Sequence, residues 1–538
     1  MMIPQISKVA VLFAVLFLVA TPQGIFAAGS RGGANDLFGP RIHLDPLSAP
    51  PDARHRPHPG PDRTRAVAVS YWNQIARDAS VLDHTPGRAD GVIGEQAGPV
   101  RTSYALAIVH IAIFDAVNAI AGGYESYTGL PRARPVTSMR SAVAQAAHDT
   151  LVFLYPSQKA SFDLSLAEAL ETIPEGQAKS DGTDLGRNAA LAILALRAAD
   201  GYYPHPLPKY AEPLLGTDFF PSDLPGMWRQ DPISLVPIAL GVKWGQVKPF
   251  VLKSGDQFRI PDPPALNSPE YTSAYNEVKR LGGCGTDSFD CFLNGSDTQP
   301  AGSVTPTERT TDQTEIGIYW GYDGTPGLGV PPRLYNQIAL QIAHKMGTDT
   351  NEVELARLLA LVNVAMADVG ITAWESKYHY QYWRPVTGIR EAGEGTGPTG
   401  AGDGNPATVG DVNFTPLGAP ASNLVGPNFT PPFPAYPSGH AAFGGALFEM
   451  LRNYYRTDRI PFTFVSDELN GVTKGNNGVV RARAARSFSS LSQAEKENGQ
   501  SRIYLGIHWA FDATEGVKQG NRVADYVFKN ILEPQRRR

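Results

Sequence analysis

Histidines and fixed cations crowd three short segments in the last third of the 538-residue chain. In the first, Lys377-Tyr-His-Tyr-Gln-Tyr-Trp-Arg384-Pro385, the two cations are seven residues apart, which on one helix places them about 20° from alignment. Trp374 lies one turn earlier on that face, and Pro385 discourages the helix from continuing. In the second, Ser438-Gly439-His440 precedes a helical run from Ala441 to Tyr455. Ser438 suits an N-cap, and Gly439 lets a ligand approach the backbone. Free N–H groups and the helix dipole then make an anion site, with His440 beside it able to move a proton. In the third, Arg502 and His508 are six apart, about 120° out of register on a straight helix, so both can meet one ligand only if the chain bends, as Gly506 permits. His508 and Asp512 are spaced i, i+4, so the carboxylate can accept the Nδ1 proton and leave Nε2 a bare lone pair. A histidine held that way is a nucleophile or a metal ligand.

Each segment alone has an ordinary reading: two solvated cations, an N-cap with an incidental histidine, a buried His–Asp pair. Together they provide Lys377, Arg384 and Arg502, a helix start, and two histidines with different tasks. That inventory suits a tetrahedral oxyanion attached to His508, its charge neutralised in a dry site.

Such groups need rigid elements to hold them. Helical periodicity runs over Ala66–Ala79, Tyr104–Ile120, Ser141–Tyr155, Asn188–Ala199, Arg333–Met346, Val353–Lys377, Ala441–Tyr455 and about His508–Ile531. Tyr104–Ile120 is apolar nearly all round, as expected of a helix buried in a bundle. His110 and His148, on apolar helices, read as core histidines, His379 falls off the Lys377/Arg384 face, and Trp509 reads as packing for the last helix. Residues 204–306 are Pro-rich and irregular, and 391–436 hold 9 Gly and 8 Pro, an excursion too long for an ordinary loop. The expected class is all-α, two packed four-helix bundles with long Gly/Pro-rich loops. The expected division is a signal peptide (1–28), an N-terminal helical region (29–325) and a C-terminal helical domain carrying the site (326–538).

The three segments match, in order and internal spacing, the signature shared by type 2 phosphatidic acid phosphatases, bacterial acid phosphatases and vanadium-dependent haloperoxidases. Three features resemble the haloperoxidase branch: Trp374 three before the lysine, Phe433 five before Ser438, and Trp320-Gly-Tyr-Asp323-Gly followed by Pro331-Pro332-Arg333. The resemblance implies vanadate on His508, its oxygens held by Lys377, Arg384, Arg502, Ser438 and the Gly439 N–H. His440 would act as acid–base, Lys377 would polarise a peroxovanadate oxygen, Trp374 and Phe433 would flank the halide, and Asp323 would hold Arg502. The implied substrates are hydrogen peroxide, chloride or bromide, and small organic acceptors that take up the hypohalous acid. The rival is a secreted acid phosphatase with a phosphohistidine at His508. A minimal phosphatase needs far fewer residues, and aromatic walls suit a halide better than a phosphoester. A non-catalytic oxyanion-binding protein differs from both in having no need of His440.

With 47 Lys+Arg against 52 Asp+Glu the net charge is −5, so no nucleic-acid partner is expected. Lys8, an apolar run from Val9 to Ala20 and Ala27-Ala28 form an export signal, placing the mature protein outside the cytoplasm, secreted or periplasmic. No later run reaches about 18 apolar residues without a charge, so no membrane span is expected. In such a compartment the only cysteines, Cys284 and Cys291, are expected to close a local disulfide.

Overall fold

The longest helix starts where Asn351 accepts the N–H groups of Val353 and Glu354, and it runs Glu352–Tyr380. Every residue from Leu355 to Trp374 is buried, so this helix is the axis around which the others pack. A second apolar helix, Pro99–Ala121, is buried from Val100 to Ile120 and lies against it. Both are long and apolar enough to cross a membrane, yet 94% and 100% of their apolar windows is covered by protein. Their all-round hydrophobicity is therefore that of core helices.

The computed structural model describes residues 38, 40–44, 67–85, 94–202, 211–213, 219–285 and 305–535. In chain order the α-helices are α1 (Val67–Asp83), α2 (Pro99–Ala121), α3 (Met139–Leu154), α4 (Lys159–Glu171), α5 (Gln177–Arg197), α6 (Pro269–Leu281) and α7 (Thr311–Tyr319). There follow α8 (Pro331–Lys345), α9 (Glu352–Tyr380), α10 (Pro385–Arg390), α11 (Gly439–Tyr455), α12 (Leu491–Tyr504) and α13 (Ala510–Asn530). Sheet is confined, among the described residues, to three antiparallel pairs of short strands. The class is all-α, as expected. The largest cluster of buried apolar side chains runs from Val69 to Leu532.

The α11–α13 pair positions the site most directly. Gly516 and Gly520 lie against the Ser438 and Ala442 carbonyls, where any Cβ would overlap, so the two backbones meet closely. A Ser438 N–H bond to the Asp512 carbonyl at 2.9 Å ties their first turns together.

Several expectations need correction. Residues 204–306 are not wholly irregular: Ser268 caps α6, Pro269 opens it, and Tyr271, Ala274, Tyr275, Val278 and Leu281 form its buried stripe. The Pro-rich surroundings hid an ordinary amphipathic helix. Helices α4, α7 and α12 were not anticipated either, and α5 begins eleven residues before Asn188. Lys377 and Arg384 do not share a helix. Gln381 ends α9 with φ +49°, and Arg384 is the extended N-cap of α10, where Pro385 starts a new turn rather than only stopping the old one. His148 is a half-buried ion-pairing residue, 2.8 Å from Asp149 and 2.9 Å from Asp163, not a core histidine. Cys284 is buried and carries no free thiol, while Cys291 and the signal stretch lie outside the described residues.

Candidate active site

His508 sits in the bend between α12 and α13. Helix α12 ends at Tyr504 and Gly506 takes φ +70°, turning the chain so that Arg502 and His508 reach the same cavity. Gly506 is packed against the Gly282 carbonyl at the end of α6, leaving no room for a side chain. Asp512 Oδ2 lies 2.8 Å from His508 Nδ1 and accepts the Trp509 N–H at 2.9 Å. That fixes the ring proton on Nδ1 and leaves Nε2 as the lone pair. Nε2 is not bare, however, because Arg384 Nη1 donates to it at 2.9 Å.

The guanidinium groups are buried and incompletely bonded. Arg384 also donates from Nε to Phe433 O (2.9 Å) and from Nη1 to Ile507 O (2.8 Å). Arg502 Nη2 donates to Asp323 Oδ1 at 2.7 Å, as the resemblance implied. No described protein group meets Arg384 Nη2, Arg502 Nε or Arg502 Nη1. A buried donor left this way costs about 1–3 kcal/mol, more when charged, so the three N–H groups call for an anion. The cluster fits a tetrahedral oxyanion on that ground.

Lys377 is turned otherwise. Its Nζ donates to the carbonyls of Pro434 (2.8 Å), Ala435 (3.1 Å) and Pro437, three acceptors that use all the protons of an ammonium. It lies 5.1 Å from the Phe433 ring centre and 5.5 Å from that of Trp374, and Arg384 lies 5.0 Å from Phe433. Phe433 thus faces two cations, each attracted by its π-face. Trp374 and Phe433 are 4.8 Å apart, and Trp374 Nε1 is held by the Leu240 carbonyl at 3.0 Å.

Ser438 caps α11, its hydroxyl oxygen accepting the Ala441 N–H and its proton free to donate. The N–H groups of Gly439 and His440 open the helix and have no acceptor within it. His440 Nε2 lies 2.6 Å from the Gly321 carbonyl, which can only accept. The neutral ring therefore carries its proton on Nε2 and offers Nδ1 as the base. From the other side, the His440 carbonyl takes Asn498 Nδ2 at 2.9 Å and lies 3.0 Å from Tyr335 Oη.

Burial, followed by Arg384, Lys377 and Arg502, holds His508 well below the usual histidine range. Burial and then Arg502 do the same to His440, and burial and then Arg384 lower Lys377. Arg384 is brought down to about 9 by burial, and Asp512 is pushed up to about 7 by burial. The site is a buried pocket in which the cations Lys377, Arg384 and Arg502 outnumber the carboxylates Asp323 and Asp512.

A cavity of about 70 Å³ brings together Trp374, Phe433, His440, Arg502 and His508, with Asp323 at its edge. The remaining wall is largely apolar and includes Leu240, Phe429 and Phe443. Lys377, Arg384, Ser438 and Asp512 stand behind it, linked by the bonds above. The 391–436 excursion supplies Phe429, Pro431, Pro432 and Phe433, so it forms part of the pocket wall. Residues not anticipated are Gly321, which fixes the His440 proton, Leu240, which anchors Trp374, and His84 and Phe443 in the wall. Gly321 lay inside a quoted motif. Leu240 sat in the Pro-rich stretch with no signal to mark it.

Residues 357–536 match the model of the VCPO second helical-bundle domain. The chain is 30% identical over 537 residues to the vanadium chloroperoxidase of Curvularia inaequalis, covering 84% of this chain and 80% of that protein. The fold is similar to that of a bacterial vanadium-dependent iodoperoxidase (TM-score 0.63, 22% identity, 88% of this chain and 99% of the other). It is also similar to a holo-type bacterial vanadium-dependent chloroperoxidase (TM-score 0.57, 16% identity, 81% and 92%).

Proposed function

The chain belongs to the vanadium chloroperoxidase family, and from that membership we propose how its own residues carry out a haloperoxidase reaction, the oxidation of halide by hydrogen peroxide to hypohalous acid. The observation that carries the reading is the set of three unpartnered guanidinium N–H groups beside an imidazole whose Nδ1 is fixed by a carboxylate.

Vanadate would fit this cluster: His508 Nε2, whose lone pair Asp512 orients, and the unpartnered N–H groups of Arg384 and Arg502 would hold it. When bound it supplies a Lewis-acidic centre at which peroxide is activated, without changing its own oxidation state. Arg384 would shift its Nη1 bond from the imidazole to an oxygen, while Phe433 O and Ile507 O keep the guanidinium in place. Ser438 Oγ–H and the Gly439 N–H add two donors at the positive end of α11. His440 Nδ1 would take a proton from hydrogen peroxide and give it up to a leaving hydroxide, which departs as water, its tautomer held by Gly321. Lys377 supplies positive charge from behind Trp374 and Phe433, whose rings hold a polarizable halide and exclude water. Asp323 keeps Arg502 aimed.

Orthovanadate added to metal-free protein tests this reading. Peroxide-dependent oxidation of bromide or chloride is expected only after the addition, with phosphate competing. High phosphoester hydrolysis that vanadate merely inhibits would restore the acid phosphatase. The export signal supports a secreted or periplasmic location for a maker of hypohalous acid, and N-terminal sequencing of mature protein checks it by the loss of about 28 residues.

A further inference from the structure

The turn between α7 and α8 holds the site from two sides at once. Gly321 presents its carbonyl to His440 Nε2, and Asp323 presents Oδ1 to Arg502 Nη2. Between them Tyr322 is fully buried with φ +57°, a left-handed conformation that costs a non-glycine residue on the order of 1 kcal/mol or more. Such a residue persists only where its surroundings over-determine it.

Glu468 Oε1 accepts the Tyr322 N–H at 3.0 Å, and Tyr322 Oη accepts the Asp467 N–H at 2.7 Å. Glu468 is itself completely buried. Its Oε2 accepts from Ser422 Oγ (2.6 Å) and Arg481 Nη1 (2.6 Å), and Arg481 Nη1 also reaches Ser422 Oγ at 2.8 Å. The carboxylate presses so close to Gly321 that any side chain there would collide with it. Neither Glu468, Arg481 nor Ser422 lines the cavity.

A fully buried carboxylate paired with a partly buried guanidinium outside the site is costly to desolvate, and in return the pair holds one backbone N–H. We propose that Glu468, anchored by Arg481 and Ser422, is a positioning residue for the reaction. It pins the strained Tyr322 so that the Gly321 carbonyl fixes the His440 tautomer while Asp323 braces Arg502. The role rests on the functional reading above, because it is defined relative to His440 and Arg502. Its prediction for the His440 ring needs no turnover.

The test uses the full-length protein and two readouts. In ¹⁵N-histidine-labelled protein, with His440 assigned by His440→Asn, the wild-type ring is expected to show one tautomer, protonated at Nε2. Glu468→Ala is expected to give mixed tautomers and to lower kcat/KM for peroxide about 10–100-fold in the vanadate-loaded enzyme. Glu468→Gln keeps an oxygen for the Tyr322 N–H and is expected to restore the single tautomer and most of the rate. A folded alanine variant with wild-type tautomer and rate overturns the proposal, as does a glutamine variant no better than alanine. If the alanine variant does not fold, Ser422→Ala is the graded substitute, expected to move both readouts in the same direction by a few-fold; no movement in either overturns the proposal. Wild-type protein that never oxidises halide sinks the functional reading, and the tautomer measurement then judges the positioning role alone.

Discussion

His84 and His508 line the same cavity, both are buried, and both are held as neutral imidazoles. At the α1–α2 corner, His84 Nδ1 lies 2.7 Å from the Ser80 carbonyl and Nε2 accepts the Gly98 N–H at 2.9 Å. Its partners are backbone groups, and both ring nitrogens are used up. In the α12–α13 bend, the partners of His508 are a carboxylate and a guanidinium, with Lys377 and Arg502 adding to the field that disfavours its protonation. Burial and weak basicity are common to the two residues and so do not make a site. What separates them is that the guanidinium groups around His508 carry unpartnered N–H donors beside the ring, whereas the cation that acts on His84, Arg333, is paired with Asp467 at 2.7 Å.

Removing His508 is expected to have the largest effect. His508→Ala should abolish vanadate-dependent halide oxidation, a loss of roughly 10³-fold or more, whereas His84→Gln should stay within a few-fold of wild type. Steady-state rates under saturating peroxide decide it, and an active alanine variant would break the distinction. His440→Ala should lower kcat by about 10²–10⁴-fold while vanadate affinity, followed by calorimetric titration of metal-free protein, changes only a few-fold. Equal losses in both quantities would mean that His440 binds rather than moves protons. Asp512→Asn should weaken vanadate binding about 10–100-fold by disturbing the His508 tautomer, and the same titration shows it.

The smallest effect concerns the structural member of the pair. Burial lowers the His84 pKa from 6.5 to about 4. Between those values the unfolded chain takes up a proton at this ring and the native protein does not. Its contribution to stability is therefore complete above pH 6.5, declines as pH falls, and levels off below about pH 4. Urea unfolding of wild type and His84→Gln should diverge in slope over that window by at most about 1.4 kcal/mol per pH unit. Parallel curves would contradict the assignment of His84 as neutral in the native state.

The sequence made the site easier to read than the scaffold. His508 with Asp512, Ser438 as a cap and Gly506 as a bend are short-range relations, set by helix geometry within a few residues. Asp323 with Arg502 is 179 residues apart, and only the family resemblance pointed to it. Helix α12 escaped notice for a physical reason: half of its buried residues, Glu495, Asn498, Ser501 and Arg502, are polar, and Asn498 and Arg502 serve the site. A search for apolar periodicity cannot detect such a helix. The Lys377–Arg384 spacing misled in the opposite sense, since seven residues suit one helix, and Gln381 breaks it. The proton-fixing carbonyl of Gly321 belongs to the backbone and has no side-chain signature at all.

The family-model match opens at residue 357, yet the cavity is walled by His84, Pro99, Leu240 and Asp323 from the chain before it. The catalytic part is therefore not a portable module. An excised fragment starting there would retain the imidazoles and guanidiniums but lack the carboxylate that aims Arg502 and the carbonyl that sets the His440 tautomer. Efforts to shrink or recombine this enzyme should treat residues 238–240 and 320–324 as indivisible from the C-terminal helices, whatever the boundary that sequence similarity draws.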